Sequence, residues 1–170
     1  MARVLVLYAT VEGQTARIAE RMAECLRGKG QAVELRDARA GFDAGAYDAV
    51  MVGASVHYGR HPAMLAAALK RQRAALESRP GAFFSVSLTA QEHYAAKFLR
   101  RARWRPRAVA VFAGALRYSR YPWWKRQMLR GFALMGGHDT DSSRDYEYTD
   151  WGAVAHFAEA FAASLAAPKA

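Results

Sequence analysis

One cysteine, Cys25, is all the chain has, so no internal disulfide can form. It lacks any run of about 18 uncharged apolar residues, the length a helix needs to cross a bilayer. It also lacks low-complexity stretches, internal repeats and a Pro/Gly/Ser-rich linker, which argues against disorder and against division into domains. The apolar run at 4–9 is too short for a signal-peptide core and has no cleavage site behind it. The expectation is one cytoplasmic domain over residues 1–170. Acidic residues are few: 15 Asp and Glu stand against 25 Lys and Arg, a formal charge of +10. Such an excess speaks of partners rather than fold. Nucleic acid, anionic lipid headgroups or an acidic small molecule would suit it, and an Arg-rich solvated surface is the bland alternative.

What the chain does have is an alternation of two periods. Short β-type runs fall at 3–9, 32–36, 49–53, 82–88 and 108–116. Between them lie helical patterns, the first over 15–27 with Ile18, Met22, Cys25 and Leu26 on one face. A second opens at Pro62, suited to a first turn, and carries Met64, Leu65, Ala68, Leu69, Gln72 and Leu76. A third covers 92–103. The last is capped by Thr149 or Asp150 and shows Trp151, Val154, Ala158, Phe161 and Leu165. Strands alternating with helices predict an α/β fold, a doubly wound five-stranded parallel sheet in the order 2-1-3-4-5. Ligands of such sheets bind at the carboxyl ends of the strands. The segment 118–145 lies outside the pattern.

Three loops meet at that edge. The first, Thr10-Val11-Glu12-Gly13-Gln14-Thr15, joins a strand to a helix with hydroxyls at both ends and a glycine inside. Its backbone N–H groups and the helix N-terminus suit a phosphate. It has no Walker lysine and no GxGxxG, so it suits the single phosphate of FMN better than a triphosphate or a dinucleotide; a plain threonine N-cap is the alternative. The third strand runs into Ser55-Val56-His57-Tyr58-Gly59-Arg60, an aromatic loop placed to line a flavin ring. His57 is a candidate proton relay there, or a solvated loop histidine. The fourth strand ends in Ser85-Val86-Ser87-Leu88-Thr89, whose backbone can meet the flavin's pyrimidine edge. The acidic pair and the lysine that receiver domains of this topology need are absent. The acidic residues at 139–147 have neither EF-hand spacing nor glycine, so no metal site is expected.

Further motifs join these: Gly53-Ala54-Ser55-x-x-Tyr58-Gly59, Trp104-Arg105-Pro106, Ala113-Gly114-Ala115-Leu116-Arg117-Tyr118, Gly136-Gly137 and Tyr148-Thr149-Asp150-Trp151. With the Thr10 loop, they make the chain resemble the bacterial flavodoxin-type, quinone-dependent protoporphyrinogen oxidases from its first strand to its last helix. The resemblance implies a flavodoxin-like fold, FMN, and oxidation of protoporphyrinogen IX to protoporphyrin IX in haem synthesis, with electrons passed to a membrane quinone. Members of that family often carry a longer polar insertion after strand four. Here Leu88 reaches the helix near Glu92 almost directly, which implies a more open site.

The segment 117–130 sets Arg117, Arg120, Lys125, Arg126 and Arg130 among Tyr118, Tyr121, Trp123 and Trp124. Pro122 opens an expected extra basic aromatic helix, closed by Gly136 or Gly137. Such a helix reads as membrane-surface, with Trp123, Lys125, Arg126 and Arg130 facing an anionic leaflet; packing of its apolar stripe on the domain is the alternative. Arg60, Arg117, Tyr118 and Arg120 are the candidate contacts for the two propionates and the macrocycle, since arginine pairs bidentately with carboxylates. The expected location is therefore the cytoplasm, peripherally on the inner face of the cell membrane. A homo-oligomer is possible, and nucleic acid is not expected because no reading helix or RNA-binding signature is present. No general base stands out. The rival readings are a flavodoxin-type electron carrier, an FMN quinone reductase, and a basic module that binds no flavin.

Overall fold

A computed structural model describes residues 1–116, 119, 122, 124, 141 and 143–166. Five parallel strands form the central sheet: β1 (Arg3–Ala9), β2 (Ala32–Asp37), β3 (Ala49–Ser55), β4 (Gly81–Ser87) and β5 (Ala108–Ala113). Their order is β2-β1-β3-β4-β5, as the alternation predicts. The helices are α1 (Gln14–Gly28), α2 (Ala63–Arg71), α3 (Arg73–Glu77), α4 (Glu92–Ala102) and α5 (Trp151–Ala166).

Both faces of the sheet are covered, which is why the central strands read as unbroken apolar runs. On one face Leu5, Leu7, Val50, Val52 and Phe83 pack with Leu65, Leu69, Leu76, Phe98 and Trp104 from the α2–α4 side. On the other, Val4, Val6, Met51, Phe84 and Phe112 meet Ile18, Met22 and Leu26 of α1 and Val154 and Phe161 of α5. Cys25, expected on the buried face of α1, is only half-buried at its margin.

Three details depart from the sequence reading. Strand five was expected to reach Leu116 but ends at Ala113. The Gly114 N–H continues the ladder by one bond to the Ser87 carbonyl (3.0 Å), but its own carbonyl accepts from the Tyr148 N–H (3.0 Å), and the chain leaves the sheet there. The next two residues, β6 (Ala115–Leu116), pair antiparallel with β7 (Tyr146–Glu147). The helix after Pro62 is broken in two at Gln72, and Pro62 is its cap rather than its first residue. The Gln72 amide accepts from the Ala44 N–H (2.6 Å) and donates to the Phe42 carbonyl (2.5 Å), so a position read as part of the apolar stripe is a tether. Of the two candidate caps for α5, Asp150 accepts from the Ala153 N–H at 3.0 Å. The expected extra basic aromatic helix lies outside the described residues.

Candidate functional site

The loop at 10–15 closes on itself. Thr10 Oγ1 accepts from the Gly13 N–H at 2.9 Å, and Gly13 sits in the left-handed region at φ 94°. That conformation favours glycine and turns the chain into α1 within three residues. Gly13 is the N-cap of α1 and offers no side chain, so neither threonine plays the N-cap role weighed for it. No side chain caps the first turn of α1, and a helix N-terminus of this kind suits an anion. Thr15, 1% exposed, has its Oγ1 fully buried without a hydrogen-bond partner. Gln14 is also buried; its Nε2 donates to Thr149 Oγ1 (2.9 Å), which donates on to the Ala113 carbonyl (2.9 Å). This relay fixes the loop to the end of β5 and the start of α5.

At the end of β3, Val56 donates to the Val86 carbonyl at 2.7 Å, continuing the ladder by one bond. A tight turn follows. His57 and Arg60 exchange backbone hydrogen bonds (2.8 and 3.1 Å) across Tyr58 (φ 48°) and Gly59 (φ 71°). Positive φ at both central positions is the mark of a type I′ turn, and a tyrosine there is strained. The turn holds Tyr58 68% exposed, with the His57 ring edge-on at 4.3 Å. Arg60 is exposed beside it. Ser55 Oγ, like Thr15 Oγ1, is buried without a partner. These two hydroxyls are the buried side-chain polar atoms left unpaired among the described residues, and both stand at the carboxyl edge of the sheet.

The end of β4 completes that edge. Ser85 and Ser87 are buried, Leu88 is half-buried and Thr89 exposed. Ser87 Oγ accepts from the Gln91 N–H at 3.3 Å, and Ala90 takes a positive φ of 49°, a sharp turn in place of a longer loop. The structure thus brings together Thr10, Val11, Glu12, Gly13, Gln14 and Thr15 with the 55–60 turn and the 85–89 segment. Arg117, Tyr118, Arg120, Trp123, Lys125, Arg126 and Arg130 lie outside the described residues.

His61 was missed by the sequence reading, which singled out His57. Its Nδ1 stands 3.0 Å from the Ser55 carbonyl and its Nε2 3.1 Å from Ser85 Oγ. A carbonyl only accepts, so Nδ1 carries the proton; Nε2 of the neutral ring then accepts from the Ser85 hydroxyl. Burial lowers its pKa from 6.5 to about 4. The rings of Phe83 and Phe98 lie edge-on to it at 5.8 and 5.0 Å. The signal available was its place before Pro62, which keeps the backbone extended at the sheet edge.

No group of three metal-ligating side chains is present among the described residues, and no described helix is long and apolar enough to cross a membrane. A family model described as Flavodoxin domain matches residues 5–143. Over 171 aligned positions the chain is 37% identical to protoporphyrinogen IX dehydrogenase [quinone] of Escherichia coli (strain K12), covering 94% of each. It is 36% identical to the protein of the same name from Leishmania major, over 98% of this chain and 78% of that one. Among solved structures, an archaeal flavodoxin superimposes with a TM-score of 0.60 at 14% identity, over 96% of this chain and 98% of that one.

Proposed function

Since the chain belongs to the flavodoxin-domain family and to its protoporphyrinogen IX dehydrogenase branch, we propose that it uses FMN to oxidise protoporphyrinogen IX to protoporphyrin IX, passing electrons to a membrane quinone. The observation that carries this reading is the pair of buried, unpaired hydroxyls, Thr15 Oγ1 and Ser55 Oγ, on two loops of one sheet edge. An unmade buried hydrogen bond costs about 1–3 kcal/mol, so a native structure keeps one where a ligand completes it.

The residues present fit FMN. The start of α1, where Gly13 offers no side-chain cap, and the Thr15 hydroxyl are suited to one phosphate. The 55–59 turn, with exposed Tyr58, and the 85–89 segment flank the place of the ring. When bound, FMN supplies the two-electron redox chemistry. The chain's part is to hold and orient. The Gln14–Thr149–Ala113 relay fixes the phosphate loop, and His61 fixes the turn that carries Tyr58. Arg60, with Arg117 and Arg120, pairs with the substrate's propionates, and Tyr118 stacks on the macrocycle. Trp123, Lys125, Arg126 and Arg130 lie against the anionic inner face of the cell membrane, where the quinone is met.

The test is a quinone-coupled porphyrinogen oxidation assay with FMN added. Porphyrin formation that needs both FMN and quinone supports the reading. FMN binding without turnover would leave a flavodoxin-type carrier.

A further inference from the structure

At the opposite end of the sheet, between the end of α4, the start of β5 and α3, a groove encloses about 730 Å³. β5 is six residues long, so at about 3.3 Å per residue this groove stands roughly 20 Å from the flavin edge. Its apolar part includes Val109, an edge-strand side chain left 48% exposed, beside Trp104 and Pro106. Its rim carries Arg73, Arg100, Arg103 and Arg105 against a single carboxylate, Glu77. Glu77 is already paired with Arg73 at 2.7 Å. The other three arginines have no carboxylate partner among the described residues.

A helix C-terminus accounts for some basic residues, because cations there complement the helix dipole. It does not account for Arg103. This residue ends α4 in the left-handed conformation, φ 52° and ψ 39°, where glycine is the usual occupant. The Trp104 N–H reaches the Leu99 carbonyl and the Arg103 N–H the Arg100 carbonyl, both at 3.3 Å, and these bonds close the turn. A strained arginine, two further unpaired arginines and an exposed valine thus share one concavity.

We propose that this groove is a second ligand site, for an amphiphilic dianion whose apolar body covers Val109 and Pro106 and whose two carboxylates pair with Arg100, Arg103 and Arg105. Arginine forks match carboxylates bidentately, and the groove's volume lies within the range of small-molecule sites. A porphyrin dicarboxylate has that chemistry. This choice of ligand rests on the proposed function, and it makes the groove a place where product waits away from the flavin.

The experiment titrates FMN-loaded protein with mesoporphyrin IX, and with its dimethyl ester, which lacks both charges. Wild type is expected to bind one mesoporphyrin more than an Arg100→Glu/Arg105→Glu variant, and to bind the ester at least tenfold more weakly at that site. Both substituted side chains are exposed, so the fold should persist, as circular dichroism would check. The variant's KM for the porphyrinogen should match wild type. Equal stoichiometry in the variant, equal binding of the ester, or a KM that rises with the lost site would each overturn the proposal. The titration needs no turnover, so its result stands whether or not the chain oxidises the porphyrinogen.

Discussion

The Nδ1 atom of His61 meets the Ser55 carbonyl at 3.0 Å, and this contact joins the start of α2 to the last residue of β3. The same ring accepts from Ser85 on β4, so one neutral imidazole ties together two of the three segments at the carboxyl edge of the sheet.

Burial of that ring, only partly offset by the Ser55 contact, makes stability depend on pH. Above about pH 6.5 the histidine is neutral both folded and unfolded and contributes no slope. As pH falls from 6.5 towards about 4, the unfolded chain takes up the proton first and the folded state loses ground. The full effect is on the order of 3 kcal/mol, at about 1.4 kcal/mol per pH unit. Urea melts from pH 7 to 4 should show it. His61→Asn keeps a donor near the Ser55 carbonyl and removes the titration, so its melting midpoint should vary less with pH than that of wild type.

Gly53 lies opposite Phe84 in the β3–β4 register, and a Cβ on Gly53 would stand 2.0 Å from Phe84 Cζ. Phe84 is fully buried and has nowhere to swing. Gly53→Ala should therefore cost at least about 1–3 kcal/mol, the usual range for overpacking. Adding Phe84→Leu should recover part of it, which denaturant melts of the single and double variants would read.

Thr15→Val removes the unpaired hydroxyl and keeps the shape. The apo protein should melt at the same temperature or slightly higher, since a buried group without a partner is lost. FMN should bind about tenfold more weakly, a change of about 1.4 kcal/mol. An unchanged flavin affinity by fluorescence titration would remove Thr15 from the site. Gly13→Val is the harsher variant: at φ 94° a β-branched residue distorts the loop, and flavin should be lost outright.

Much of the fold was legible because parallel strands buried on both faces leave unbroken apolar runs, as Val4–Leu7 and Val50–Val52 do. The turn at 10–15 was legible because a glycine at a strand-to-helix junction suits the positive φ that Gly13 takes. Hidden were the positions whose role depends on residues distant in sequence. Gln72 fits a helical stripe, and only the nearness of Phe42 and Ala44 makes it a tether. His61 looks like any loop histidine until Ser85, 24 residues on, is placed beside it. β5 ends where the Gly114 carbonyl is claimed by Tyr148, 34 residues further along the chain.

If the segment 123–135 lies on the membrane, liposome flotation should favour anionic over neutral vesicles and weaken with salt. Each basic residue near such a surface contributes about 1 kcal/mol, screened within a Debye length. A Trp123→Ala/Lys125→Glu/Arg126→Glu variant should keep FMN and lose the binding. Wild type that ignores anionic vesicles at low salt would mean the quinone is met another way.

The substrate's propionates give the last prediction. Arg60 is exposed on the turn next to Tyr58, at the mouth of the flavin edge, and has no ion-pair partner among the described residues. Arg117 follows directly on β6, whose pairing with β7 begins just past the end of β5. Arg60, without a carboxylate partner among the described residues, is suited to bidentate recognition of a dicarboxylate. Arg60→Ala, Arg117→Ala and Arg120→Ala should each raise the KM for the porphyrinogen and leave that for the quinone nearly unchanged. A charge-assisted bond that is desolvated on binding is worth roughly 1.5–3 kcal/mol, which corresponds to a rise of about ten- to hundredfold. Lysine at the same positions should restore charge but not the fork, and so recover only part of the loss. Equal effects on both substrates would assign these arginines to the structure of the site, and no effect would place the propionates elsewhere.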